Sequence, residues 1–136
     1  MGLHSEAQLD RRFVEMARLL NVHLNHFPRH EKYGLAQEIR RAAYDAYGFI
    51  VEAQKRYQKK TTLNNLDIRH EQLRMFVRLA YELGYFQFRD GAVSDESPER
   101  LAEKRYLALS KLVDEIGRMI GGWMTADREK QQRELP

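Results

Sequence analysis

Residues 97–124, SPERLAEKRYLALSKLVDEIGRMIGGWM, read as one long amphipathic helix. Ser97 is a good N-cap, and Pro98 fits the first helical position, where a missing amide hydrogen is not needed. Leu101, Arg105, Leu109, Leu112, Ile116, Ile120 and Trp123 then recur every three or four residues, the period of one helix face. Three glycines, Gly117, Gly121 and Gly122, fall inside this run, although each costs roughly 1 kcal/mol against alanine in a helix interior. They predict a face, ending at Trp123, where another backbone comes close in packing or assembly. A fraying helix end explains Gly121 and Gly122 about equally well. Gly117 lies a full turn earlier and lacks that explanation.

Working back from this segment, three further helices follow. Ser5, with Gln8 three residues on, predicts the start of a helix whose stripe is Leu9, Phe13, Met16, Leu20, Leu24 and Phe27, ended by Pro28. A second helix is expected from about His30 to Lys60, with Leu35, Ile39, Ala42, Ala46, Phe49, Ala53 and Tyr57 on one narrow, alanine-rich stripe. Thr61 or Thr62 can cap a third, carrying Leu66, His70, Leu73, Val77, Ala80 and Leu83 and stopping near Gly84. Arg89 to Ser97 form the one substantial loop. Four amphipathic segments, short connections and no alternating strand pattern predict an all-α, antiparallel up-down-up-down four-helix bundle over residues 1–126. The tail DREKQQRELP, residues 127–136, has no apolar face and is expected to fray.

The chain has 136 residues, enough for one domain that buries roughly two thirds of its unfolded surface. It contains no cysteine, which excludes disulfide and thiolate chemistry. No apolar run follows the N-terminal charges, and none approaches the roughly 20 residues that span a bilayer, so a soluble, cytoplasmic protein with no membrane partner is expected. Basic residues exceed acidic ones by 23 to 20, a small surplus whose distribution matters more than its sum. QKRYQKK, residues 54–60, carries four positive charges and no acid, whereas Asp90 to Glu103 is mostly acidic. In the expected topology these clusters form opposite poles. Lys55, Arg56, Lys59 and Lys60, with Tyr57 among them, make the basic one, reinforced by Arg11, Arg12 and Arg128.

Catalytic and metal chemistry find little support. His23, His26 and His30 are close in sequence, yet Pro28 separates the last two, and di-iron bundles need two Glu-x-x-His motifs where this chain offers only Asp67 and His70. His70 on an apolar stripe reads as a hydrogen-bonded core or interface residue. No nucleophile triad and no glycine-rich phosphate loop occurs, so neither a catalytic residue, a metal nor a cofactor is expected. Arg74 and Arg78 stand one turn apart on the third helix, where like charges repel unless an anion or an acidic partner lies between them. Phosphate would fit. A solvated face neutralised by Glu71 and Glu82 fits as well, and Arg40 with Arg41, like the basic pole of Lys55, Arg56, Lys59 and Lys60, poses the same choice between a nucleic-acid contact and a wet surface.

The segments FPRHEKYGLAQEIRRAAYDAYGFIVEA (27–53), LRMFVRLAYELGYF (73–86) and DEIGRMIGGWM (114–124) resemble the accessory variability determinant proteins of diversity-generating retroelements. They are also similar to the related four-helix proteins encoded in bacterial 23S ribosomal RNA intervening sequences. The pairing of Leu73-Arg74 with Val77-Arg78 and the Gly-Gly-Trp ending resemble the retroelement branch more. That resemblance implies a non-catalytic protomer that assembles into a pentameric barrel, binds RNA or DNA, and partners a reverse transcriptase in mutagenic cDNA synthesis. It also implies a nucleic-acid or reverse-transcriptase contact at Arg74 and Arg78. The acidic run and the net charge of +3 depart from a strongly basic accessory protein. The alternative is an oligomeric four-helix interaction protein of the ribosomal RNA intervening sequence type, without a nucleic-acid role.

Overall fold

Ser97 accepts a hydrogen bond from the backbone amide of Arg100 at 3.2 Å, and Pro98 opens the helix that follows. This helix, α4, spans Pro98–Arg133 in a computed structural model that describes residues 3–89 and 95–136. Before it come α1 (Leu3–Leu24), α2 (Leu35–Lys55) and α3 (Lys60–Glu82), with one 3-10 turn at Arg29–Glu31 between the first two. No strand occurs among the described residues. At 36 residues, α4 is about 54 Å long and overhangs its 21- to 23-residue neighbours.

The helices close a ring of contacts in chain order: α1 packs on α2, α2 on α3, α3 on α4 and α4 back on α1. With short connections up to α3 and a longer one, residues 83–97, leading to α4, they form the up-down-up-down bundle expected from the four stripes. All six apolar residues assigned to the first stripe, Leu9 to Phe27, are buried. In α4, Leu109, Ile116, Ile120 and Trp123 are buried, while Leu101, Arg105 and Leu112 are half-buried. α2 contributes Ala36, Ala42, Ala43, Ala46 and Ala53 alongside Ile39 and Ile50. With such small side chains at its core face, α2 can lie close against its neighbours.

Polar ties fix the helix pairs at their rims. The Tyr47 hydroxyl donates to Asp10 at 2.5 Å and joins α2 to α1. Arg69 bonds Asp45 across the α2–α3 seam, where Thr62 also donates to Glu52 at 2.9 Å. Arg12 reaches Glu115 at 3.0 Å, joining α1 to α4, so this arginine reinforces a seam instead of the basic pole.

Several boundaries differ from expectation. α1 is already helical at Leu3, so Ser5 lies inside it and does not cap it. α2 begins at Leu35 and not at His30, because Glu31 folds back to accept from the Leu35 amide at 2.9 Å while residues before it form the 3-10 turn. It also ends at Lys55, leaving Tyr57 outside the helix and exposed. At the start of α3 neither threonine caps; Lys59 takes the N-cap position and Thr62 is buried. The tail expected to fray is helical through Arg133, with Asp127 buried against the bundle. That end is held by Tyr57, whose hydroxyl donates to Glu134 at 3.1 Å and whose ring lies 5.6 Å below the Lys130 ammonium.

Gly84 ends α3 at φ +81°, a left-handed conformation that favours glycine. The Tyr85 amide reaches Ala80 O and the Gly84 amide reaches Tyr81 O, both at 3.0 Å, the two bonds of a Schellman cap. The chain then crosses the end of the bundle and drops Phe86 into the core, fully buried. Half-buried Arg105 holds this crossing by donating to Phe86 O at 2.9 Å and Phe88 O at 2.6 Å, its guanidinium 3.9 Å from the Phe88 ring centre. The end expected to be acidic is therefore mixed: Asp95, Glu96 and Glu99 share it with Arg29, Lys32, Arg89 and Arg105. Part of the acidic run, residues 90–94, lies outside the described residues.

Candidate nucleic-acid interface

Arg74 lies beside α4 and Arg78 follows one turn later on α3, but they differ in electrostatic state. Arg74 donates from Nε to Glu71 at 2.9 Å and from a terminal nitrogen to the other carboxylate oxygen. The mutual hydrogen bond raises the Arg74 pKa and lowers that of Glu71. This fork-on-carboxylate pair cancels the charge locally. Arg78 is exposed and has no side-chain partner among the described residues. Of the two arginines, only Arg78 presents an uncompensated cation.

The other expected contacts are scattered. Arg40 donates to Asn25 at 2.8 Å and to Asn21 at 3.3 Å, stitching α2 to α1. Arg41 lies 3.6 Å from Glu38, and Arg56 lies 3.5 Å from Glu52. The Lys59 ammonium donates to Arg56 O at 2.6 Å and to Ala53 O, so it caps the C-terminal end of α2, where a cation meets the negative end of the helix dipole. Lys55 and Lys60 remain exposed without side-chain partners. The basic pole is thus half consumed by the turn that builds it.

The α3–α4 seam gathers cations that sequence spacing did not bring together. Lys60 and Arg128 line one hollow of about 370 Å³ near the chain ends. Arg74 and Arg118 line another of about 360 Å³ farther along, with Asp67, Glu71 and Asp114 beside them. Arg118 was missed because its place opposite Arg74 depends on the register between two helices, for which a single helical period carries no signal.

His70 forms the floor of the second hollow. Its Nε2 lies 2.7 Å from Val113 O and donates to it in the neutral ring, while Nδ1 has no partner. Burial lowers its pKa, outweighing the hydrogen bond to Val113. Gly117 faces this ring: an added Cβ would lie 3.7 Å from His70 Cδ2, an ordinary contact. Within the protomer the close neighbour of Gly117 is therefore a side chain, and among the described residues no backbone outside its own helix comes within 4 Å of the added Cβ. Around Gly121 and Gly122 no described residue beyond the neighbouring turns of their own helix comes within 4 Å of an added Cβ. Trp123 is buried in the core.

The histidines near Pro28 do not converge. His23 is buried between Phe86 and Phe88, His26 stacks on Phe88 at 4.4 Å, and His30 meets Tyr85 edge-on at 6.2 Å. Among the described residues, no three His, Asp or Glu side chains are grouped as a metal site requires. Nor is any described helix long and apolar enough to cross a membrane.

These features define a four-helix-bundle protein with cationic surface positions and no cluster of metal-ligating side chains among the described residues. A family profile described as bAvd-like matches residues 8–126, and the chain belongs to that family, the accessory variability determinant proteins. No curated protein matches it.

Proposed function

We propose that this chain is a non-catalytic accessory protein of a diversity-generating retroelement, which binds nucleic acid and the element's reverse transcriptase to support mutagenic cDNA synthesis. The observation that carries the reading is family membership across residues 8–126. The α3–α4 face supports it by offering Lys60, Arg118 and Arg128 to phosphates, with Arg78 exposed on α3 as a further cation, contacts that position a strand without reading its bases.

The working form in this reading is a homo-oligomer, a pentamer. Four aromatic residues outside the four stripes do not carry it: Phe86 is buried, Tyr47 bonds Asp10, Tyr81 stacks on Tyr106 at 4.3 Å, and of these four only Tyr44 is exposed. Support comes instead from a second apolar stripe, Ile68, Met75 and Leu79 on α3 and Leu83 at its C-cap, which is 44–56% exposed; Leu83, expected on the core stripe, belongs to this outer one. Four large aliphatic side chains in one row on a solvated helix mark a protein contact surface.

The Glu71–Arg74 pair favours a second reading, an oligomeric interaction protein without a nucleic-acid role. Co-purification with a retroelement reverse transcriptase and salt titration of oligonucleotide binding separate the two. Binding that collapses with salt, together with capture of the enzyme, supports the first. Oligomers that bind neither partner overturn it.

A further inference from the structure

The turn between α1 and α2 holds one acid among its charges, and that acid is occupied. In PRHEKYG, residues 28–34, Glu31 accepts from the Leu35 amide, at the positive N-terminal end of α2. Gly34 leaves room for this, since a Cβ there would lie 2.7 Å from the carboxylate oxygen. The turn is closed by its own backbone, with Glu31 N bonded to Pro28 O at 2.8 Å and Gly34 N to Glu31 O at 3.1 Å.

What remains outward is cationic and aromatic. Arg29, His30 and Lys32 are exposed, and the Tyr33 ring is 90% exposed, the most exposed large apolar side chain among the described residues. The side chains of Arg29, Lys32 and Tyr33 have no hydrogen bond, ion pair or ring contact with any described residue.

We propose that this turn is a stacking platform for single-stranded nucleic acid, with Tyr33 taking the face of one base and Arg29 and Lys32 the flanking phosphates. A flat ring held on a closed turn between cations supplies the two things a single strand offers, π-faces and a dense line of negative charge. A duplex hides its base faces, so the platform discriminates strand state and tolerates sequence. This inference rests on the reading that the chain binds nucleic acid, and it adds a site remote from the α3–α4 seam in sequence and different in chemistry.

The test is fluorescence anisotropy of labelled oligo-dT, oligo-rU and a DNA duplex with the full chain and with Tyr33→Ala, Tyr33→Phe and the double variant Arg29→Ala/Lys32→Ala. Tyr33→Ala should weaken both single strands roughly tenfold, leave the duplex and the salt slope unchanged, and be rescued by Tyr33→Phe. Arg29→Ala/Lys32→Ala should flatten the salt slope. Because the Tyr33 ring is 90% exposed and bonds to no described residue, its variants should melt like the wild type. Wild-type binding that Tyr33→Ala leaves intact overturns the platform and spares the functional reading, and so does an equal loss on single strands and duplex. A wild type that binds no nucleic acid at low salt overturns both.

Discussion

His70 Nε2 lies 2.7 Å from the carbonyl oxygen of Val113, a buried bond between α3 and α4 over which Gly117 places no side chain. A Cβ at position 117 would meet the ring at 3.7 Å, so alanine fits without displacing it. Gly117→Ala should then stabilise the fold by up to about 1 kcal/mol through helix propensity alone. Thermal melting checks this. A lower melting temperature for Gly117→Ala would show that the ring or an assembly contact needs the open face. Gly117→Leu, which must fit three further carbons beside the ring, should melt below Gly117→Ala, and Ala108→Leu on an exposed position should change little.

His23 predicts acid sensitivity. It sits between Phe86 and Phe88 with neither ring nitrogen bonded, and burial, then Arg105 and His26, lower its pKa from 6.5 to about 4. A histidine whose pKa is lower in the folded state binds a proton more readily when unfolded. Its contribution is therefore fully present above pH 6.5 and is lost as pH falls toward about 4. The buried His70, also lowered, acts in the same direction. His23→Leu should flatten the decline of the urea midpoint across that window. A variant and wild type with parallel declines would assign the acid sensitivity to carboxylates instead.

The four core stripes were legible except at the last residues of the second and third, Tyr57 and Leu83, which are exposed, because a helix in water must bury one face, and that face repeats every 3.6 residues. The first stripe, Leu9 to Phe27, and the Ser97-Pro98 start of α4 needed only that rule and capping chemistry. The ends of α2 were not legible, since they depend on one carboxylate folding back onto Leu35 and one ammonium folding back onto Ala53 and Arg56. The tail's helicity is likewise set by Tyr57 and Lys130, far apart in sequence. For the candidate interface, spacing placed Arg74 and Arg78 on one flank. It could not choose which of them Glu71 would neutralise, nor bring Arg118 opposite Arg74.

The outer stripe of α3 gives a test of assembly. Leu79→Asp changes a residue 47% exposed in the protomer, so the monomer fold should tolerate it, while an apolar contact between copies should not. Light scattering should show the wild type as an oligomer and the variant shifted to monomer, with helical content unchanged by circular dichroism. Tyr44→Ala, on α2 and outside this stripe, serves as the comparison. A monomeric wild type at micromolar concentration sinks the assembly reading, and an oligomeric Leu79→Asp moves the contact elsewhere.

Glu71 offers the sharpest test of the arginine pair, because it holds Arg74 in a two-pronged bond while Arg78 stands alone. If the seam binds phosphates, Arg78→Ala removes a contact that is already free. The slope of log affinity against log salt should flatten by roughly 0.7 to 0.9 for that contact. Arg74→Ala should do less, since Glu71 must first let go of the guanidinium. Glu71→Gln should act in the opposite direction: it removes the local negative charge, releases Arg74, and should tighten binding at low salt while steepening the slope. The tail variant Arg133→Ala sets the baseline for an arginine outside the patch. Unchanged affinity in Glu71→Gln, Arg74→Ala and Arg78→Ala at every salt concentration would return the pair to a solvated surface and leave Lys60, Arg118 and Arg128 as the cations to test next.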